Sequence, residues 1–216
     1  MKYLFLIFCL TTLMSCSESD DVEQAFTVVT NRLGIGDRER IKRSFDQETH
    51  DYVGKLVACA RNREAERALL LGRQNVIPIS TMILYYSMAG TEEQVDTSSV
   101  YSEDYLWTYF RLDGTGVFRH SAKLPIKIYE EPFIFGDIAK LEVSIPAEDN
   151  ARLLTTYLFN REEDIWKLNL PSTMGVMEKI HKQNQKKSGL DMDAYARRAS
   201  SMAGSSVKFE YRKYYR

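Results

Sequence analysis

The chain has 216 residues, 44% of them hydrophobic, and 29 Lys and Arg against 30 Asp and Glu give a net charge of −1. That length holds one domain with a substantial core and leaves little room for a second full one, and the slightly acidic balance argues against a nucleic-acid partner. The balance is uneven along the chain: residues 89–171 carry 8 basic and 15 acidic side chains, and residues 172–216 carry 10 and 4.

Met1-Lys2, the apolar run Tyr3 to Leu10 and the closing Leu13-Met14-Ser15-Cys16 predict a secretion signal. A membrane-spanning helix needs about 20 apolar residues, and this run has little more than half that. Leu13, Ser15 and Cys16 resemble the bacterial lipoprotein signal, with Met14 a less usual occupant of its position. The resemblance implies cleavage before Cys16 and acylation of that cysteine; an ordinary cleaved secretory peptide is the competing reading. Each buried methylene contributes about 0.8 kcal/mol, so two or more acyl chains hold a protein on a membrane. Ser17 resembles an outer-membrane sorting residue. The acidic Glu18-Ser19-Asp20-Asp21 run resembles surface-export tethers, and also reads as a plain spacer and helix cap. With Cys9 removed and Cys16 lipidated, Cys59 stands alone, which leaves no internal disulfide and no cysteine cluster for zinc or iron–sulfur chemistry.

The expected organisation is a signal peptide at 1–15, a tether at 16–21, a single α+β domain at 22–182 and a basic tail at 183–216. Val22, Ala25, Phe26, Val29 and Leu33 recur at helical spacing before Gly34. Asp37 heads a second helix carrying Ile41 and Phe45, and Asp46 a third with Tyr52, Val53, Leu56, Val57 and Ala60 inward. Glu64 to Leu71 continues helically until Gly72, and Pro78 opens a helix whose Met82 to Met88 stretch is apolar enough to be buried on most sides.

Residues 89–99 read as loop. Ser102 to Leu112 reads as a short aromatic helix, with a strand as the rival. Leu124, Ile126 and Ile128 alternate as a strand, and Pro132 fits a bulge or an edge. Ala139, Leu141, Val143 and Ile145 alternate with polar residues; Leu153 to Phe159, apolar on both sides, reads as a central strand; Trp166, Leu168 and Leu170 alternate again. Gly136-Asp137, Pro146 to Asn150 and Arg161 to Asp164 are the turns of this antiparallel meander. Thr173 to Lys182 is helical, with Met174, Met177 and Ile180 on one side. From Gln183 the chain reads as a flexible linker around a short helix, then, at Val207 to Arg212, a strand or a sticky terminus.

The order of elements, with Gly136, Asp137, Ala139, Leu141 and Val143 in one strand and Trp166-Lys167-Leu168 after an acidic turn, resembles the nuclear transport factor two-like superfamily. The resemblance implies N-terminal helices packed on a curved, cone-like antiparallel sheet, with a C-terminal helix and tail. Its members include isomerases, dehydratases and non-catalytic domains, so the likeness decides little about activity.

The familiar catalytic and phosphate-binding patterns are incomplete or absent. Gly34-Ile35-Gly36 lacks the third glycine and preceding strand of a dinucleotide site, and His50, His120 and His181 are too scattered for metal spacing. Asp191-x-Asp193 opens like a calcium loop without its glycine and closing glutamate; a solvated helix face explains it. Asp113-Gly114-Thr115-Gly116 is explained by a turn, and Glu130-Glu131, adjacent in a strand, point to opposite faces. Cys59, among Val57, Ala58 and Ala60, fits a buried structural thiol better than a nucleophile.

The remaining candidate is aromatic: Trp107, Tyr109, Phe110, Tyr157 and Trp166 line a pocket in a cone-shaped fold, or simply fill its core. The expected protein is a membrane-anchored envelope lipoprotein acting as a non-catalytic binding or accessory module, with lipid attachment at Cys16 and no cofactor or metal. Its expected partners are the membrane and either an envelope protein or a small apolar ligand; an enzyme or carrier using the aromatic pocket is the alternative. The basic aromatic terminus from Lys208 is a candidate contact for anionic lipid, peptidoglycan or a partner, and a solvated tail is its plain reading.

Overall fold

Apolar alternation in residues 138–168 becomes an antiparallel sheet and the helical periodicities around it become helices, so the chain is α+β as expected. The structure is a computed structural model that describes residues 18–29, 42–89, 127–146 and 152–201. These residues fall into two compact units: 18–29, 42–46, 127–146 and 152–169 form the first, and 47–89 and 170–201 the second.

In the first unit, helix α1 (18–29) is followed by strands β1 (Lys127–Ile128), β2 (Phe133–Phe135), β3 (Ile138–Pro146), β4 (Arg152–Glu162) and β5 (Ile165–Leu168). The order is β1-β3-β4-β5, with β2 on the far end of the same β3 edge, and the sheet curls into a half-barrel. Register puts Ala139 opposite Phe159, Leu141 opposite Tyr157 and Phe159 opposite Leu168, so one face collects side chains that are fully buried. Val22, Phe26 and Val29, one stripe of α1, are also buried, and the Phe26 ring meets Tyr157 edge-on at 4.9 Å. Burial of a side chain like Phe26 contributes roughly 1.5–3 kcal/mol. β4 lies centrally as expected, yet it is not apolar on both sides in effect, because Leu154 on the other face is half exposed.

Two hairpins show their chemistry in the backbone. Gly136 has φ 58° in the two-residue turn joining β2 to β3, while Glu163 (52°) and Asp164 (61°) both take positive φ between β4 and β5. Positive φ at both central residues is the type I′ pattern, whose twist matches that of the strands it joins. The β1–β2 edge is interrupted at 129–132 around Pro132, in keeping with the expected bulge or edge. Near it Phe133, Phe135 and Ile138 stand on the outer face, 68%, 76% and 54% exposed, flanked by the exposed Glu130 and Glu131.

Phe45 departs from expectation. It is not part of a helix but forms a parallel bridge to Leu168; the Leu168 N–H donates to the Ser44 carbonyl at 2.8 Å, and the Asp46 N–H to the Leu168 carbonyl at 3.2 Å. The open edge of β5 needs partners for its backbone groups, and that demand ends the helical turn at Lys42 and Arg43 before Phe45.

The second unit is helical: α2 (Gln47–Asn62), α3 (Ala65–Gln74), α4 (Pro78–Ala89), α5 (Leu170–Thr173), α6 (Gly175–Ser188) and α7 (192–201). Tyr52, Val53, Leu56, Val57 and Ala60 of α2 face inward, and α4 is buried at every position from Ile79 to Met88. Three expectations are corrected here. Gly72 does not end its helix, which runs on to Gln74; a Cβ at that position would lie 2.8 Å from Pro78 Cα and Thr81 Cβ, so glycine is required by the close approach of α4. Leu170 begins a helix, its N–H donating to Thr49 Oγ1 at 2.9 Å, instead of closing a strand. Gln183 to Ser188, read as the start of a linker, are the last turns of α6, ended by Gly189 at φ 69°.

Two glycine exchanges in this unit have opposite signs. Gly72→Ala lowers stability by about 1–3 kcal/mol through overpacking. The exposed Val76 has φ 61°, which a β-branched residue tolerates poorly; Val76→Gly raises stability by up to about 1 kcal/mol, the relieved strain being partly offset by chain entropy. Urea unfolding followed by circular dichroism reads both, and equal midpoints for Gly72→Ala and the parent would show that α3 and α4 are not in close contact there.

Candidate functional site

The first unit carries a cleft of about 370 Å³ lined by Asp21, Gln24, Ala25 and Val28 of α1, by Arg43 and Ser44, and by Asp164, Ile165 and Trp166 of the last hairpin. Each wall follows from a packing choice already described. Burying Val22, Phe26 and Val29 turns Ala25 and Val28 to the side, the bridge at Phe45 brings Arg43 and Ser44 beside β5, and alternation in β5 buries Trp166, leaving it 5% exposed. The floor is therefore aromatic and aliphatic, while Asp21, Arg43 and Asp164 are exposed around it.

Arg161 supports this floor. Its guanidinium lies 5.8 Å from the Trp166 ring centroid, within cation–π range, and pairs with Glu18 at 3.1 Å and Asp164 at 3.2 Å. Its Nε is buried without a hydrogen-bond partner among the described residues. Asp46, fully buried beside the Phe45 bridge, accepts a 2.7 Å hydrogen bond from Asn160 Nδ2.

Of the five aromatic residues singled out in the sequence, Trp166 lines the cleft, whereas Tyr157 fills the core against Phe26, where burial pushes its phenol above the ordinary value. Trp107, Tyr109 and Phe110 lie outside the described residues, as do Cys16, Gly34 to Gly36 and Asp113 to Gly116. Asp21, Arg43 and Asp164 were missed by sequence reasoning, since nothing local marks a charged residue that tertiary packing later places around a tryptophan.

Other titratable groups have structural partners. The Cys59 thiol is buried, which raises its pKa and suits packing over nucleophilic attack. Asp191 Oδ1 accepts the Ala194 N–H at 2.8 Å as the cap of α7, and Asp193 accepts hydrogen bonds from Tyr86 and from Arg197 Nε, the latter at 2.8 Å. Against the cost of burial, those two bonds hold the Asp193 carboxyl below its usual range. Among the described residues no group of three or more His, Cys, Asp or Glu is arranged to hold a metal.

Met174, Met177 and Ile180 were expected on one side of the helix from Thr173 to Lys182; Met174 is fully buried, Met177 and Ile180 are half-buried, and Glu178 between them is only 1% exposed. Its carboxylate accepts the N–H groups of Ile79 at 3.2 Å and Ser80 at 2.9 Å and the Ser80 hydroxyl at 2.9 Å, with Lys182 Nζ at 3.7 Å. A carboxylate fits there because the first turn of α4 leaves orphan donors at the positive end of the helix dipole. The spacing Met174, Glu178, His181 is itself a helical stripe and was the available signal.

No protein-family model matches the chain, and no curated protein matches it. Among the described residues no helix is long and apolar enough to cross a membrane.

His181 gives a pH prediction. Burial holds its pKa below the ordinary 6.5, with the Glu178 carboxylate acting in the other direction, and its Nδ1 lies 3.2 Å from the Tyr195 hydroxyl. The unfolded chain binds the proton more readily than the folded one, so the stability this imidazole confers is complete above the unfolded value of about 6.5 and is lost as pH falls from there toward the folded value. His181→Gln, which cannot take up a proton, therefore loses less stability than the parent on acidification to about pH 5. Identical losses in urea titrations at the two pH values would remove His181 from the account.

Proposed function

We propose that the protein is an exported envelope lipoprotein, tethered through Cys16, whose α+β fold serves as a non-catalytic binding module. The observation that carries the binding half is the cleft: its 370 Å³ falls within the range of small-molecule sites, with an apolar floor at Trp166 and a few polar groups around it. The described lining residues include no His or Cys and offer mainly contact area and charge. The lipoprotein half is supported by Leu13, Ser15 and Cys16 after a short apolar run. A nuclear transport factor two-like relationship is supported by the curled sheet with α1 against its buried face.

Two experiments test the halves separately. Cells fed a radioactive fatty acid label the parent protein but not Cys16→Ala, and the variant leaves the membrane fraction; label surviving in the variant ends the tether. For the cleft, Trp107→Phe leaves Trp166 as the sole indole. Its fluorescence shifts saturably with at least one member of a panel of water-soluble aromatic amphiphiles, and Ala25→Phe, which fills the cleft, weakens that binding at least tenfold. Binding unaffected by Ala25→Phe places the ligand elsewhere.

A further inference from the structure

The charges around the cleft narrow the ligand it takes. Among the described residues three that line it are charged, and they come from three different walls: Asp21 from α1, Arg43 from the segment before the Phe45 bridge, and Asp164 from the β4–β5 turn. Asp164 is already engaged, 3.2 Å from Arg161, and its side chain is 92% exposed. The Asp21 and Arg43 side chains, by contrast, make no hydrogen bond or ion pair with any described residue, although each borders the same cavity. Among the described residues, then, one carboxylate and one guanidinium without a protein partner border the apolar surface of Ala25, Val28, Ile165 and Trp166.

We propose that the cleft binds a small amphipathic zwitterion, an α-amino acid or short peptide with an apolar side chain. This inference rests on the reading of the cleft as a binding site. Arg43 receives the carboxylate, for which a planar guanidinium is suited by its paired donors, and Asp21 receives the ammonium. The apolar group lies against Trp166 and Ile165, and Gln24 supplies an amide for the remaining polar atoms. A purely apolar ligand would desolvate both charges without replacing their water, and an ion of one sign would leave the opposite charge unpaired. The volume, near the lower end for small-molecule sites, fits an amino acid or dipeptide better than a larger lipid.

Binding is measured by Trp166 fluorescence in Trp107→Phe, with four forms of one probe: L-phenylalanine, its amide, its N-acetyl derivative, and the N-acetyl amide that bears no charge. The dipeptide alanyl-phenylalanine and its capped forms are run in parallel. The zwitterion binds at least tenfold more tightly than any capped form. Asp21→Asn abolishes the preference over the N-acetyl derivative and Arg43→Gln the preference over the amide; both residues are exposed, so neither change threatens the fold. Equal binding of the charged and uncharged forms, lost in Ala25→Phe, overturns the zwitterion inference and leaves the cleft as a binding site. Tightest binding of the amide or of the N-acetyl form overturns it in the same way. Absence of saturable binding for every probe, in a protein that also fails to bind the aromatic amphiphiles, overturns both.

Discussion

Leu168 engages both of its backbone hydrogen-bonding groups with the segment at Ser44 to Asp46, and the candidate site depends on that pairing. Without it, β5 would be a bare sheet edge, Arg43 would have no fixed place beside Trp166, and the cleft would lack a wall. The bond pair is worth only about 1–3 kcal/mol net. Its larger effect is geometric, because it converts a stretch remote in sequence into part of a surface with a defined shape.

The two units solve the same problem, unpaired backbone groups at the end of an element, by different means. The sheet edge is satisfied by main chain, whereas the first turn of α4 is satisfied by one side chain, Glu178, reaching it from α6. α4 is too apolar to end in water, being buried from Ile79 to Met88, and a buried helix terminus needs a partner that brings its own acceptors. A carboxylate in that place is bound into the architecture, which is why its burial alone does not mark it as catalytic.

Legibility in the sequence followed the range of the interactions involved. β3 and β4 were readable because Ala139, Leu141 and Val143 alternate with Lys140, Glu142 and Ser144, and period two is a local property. α2 and α4 were readable for the same reason at period 3.6. Phe45 and Gly72 were misread and Glu178 went unnoticed, and each is decided by a partner remote in sequence or by the packing of a neighbouring helix: Leu168, Pro78 with Thr81, and the first turn of α4. In the cleft, only Trp166 carried a signal, since a large aromatic in a strand invites attention. Asp21 and Arg43 look like any solvated charge until the chain is folded.

The outer face near the β2–β3 hairpin has a consequence for how the protein behaves in company. Phe133, Phe135 and Ile138 offer greasy rings and a branched chain side by side on one exposed face, Phe135 lying opposite Ile138. Pro132 has no amide to donate there, and the exposed Glu130 and Glu131 stand beside the patch. With Lys140 opposite Phe133 on that face, the oily patch is ringed by charge of both signs, which keeps it wetted at its rim.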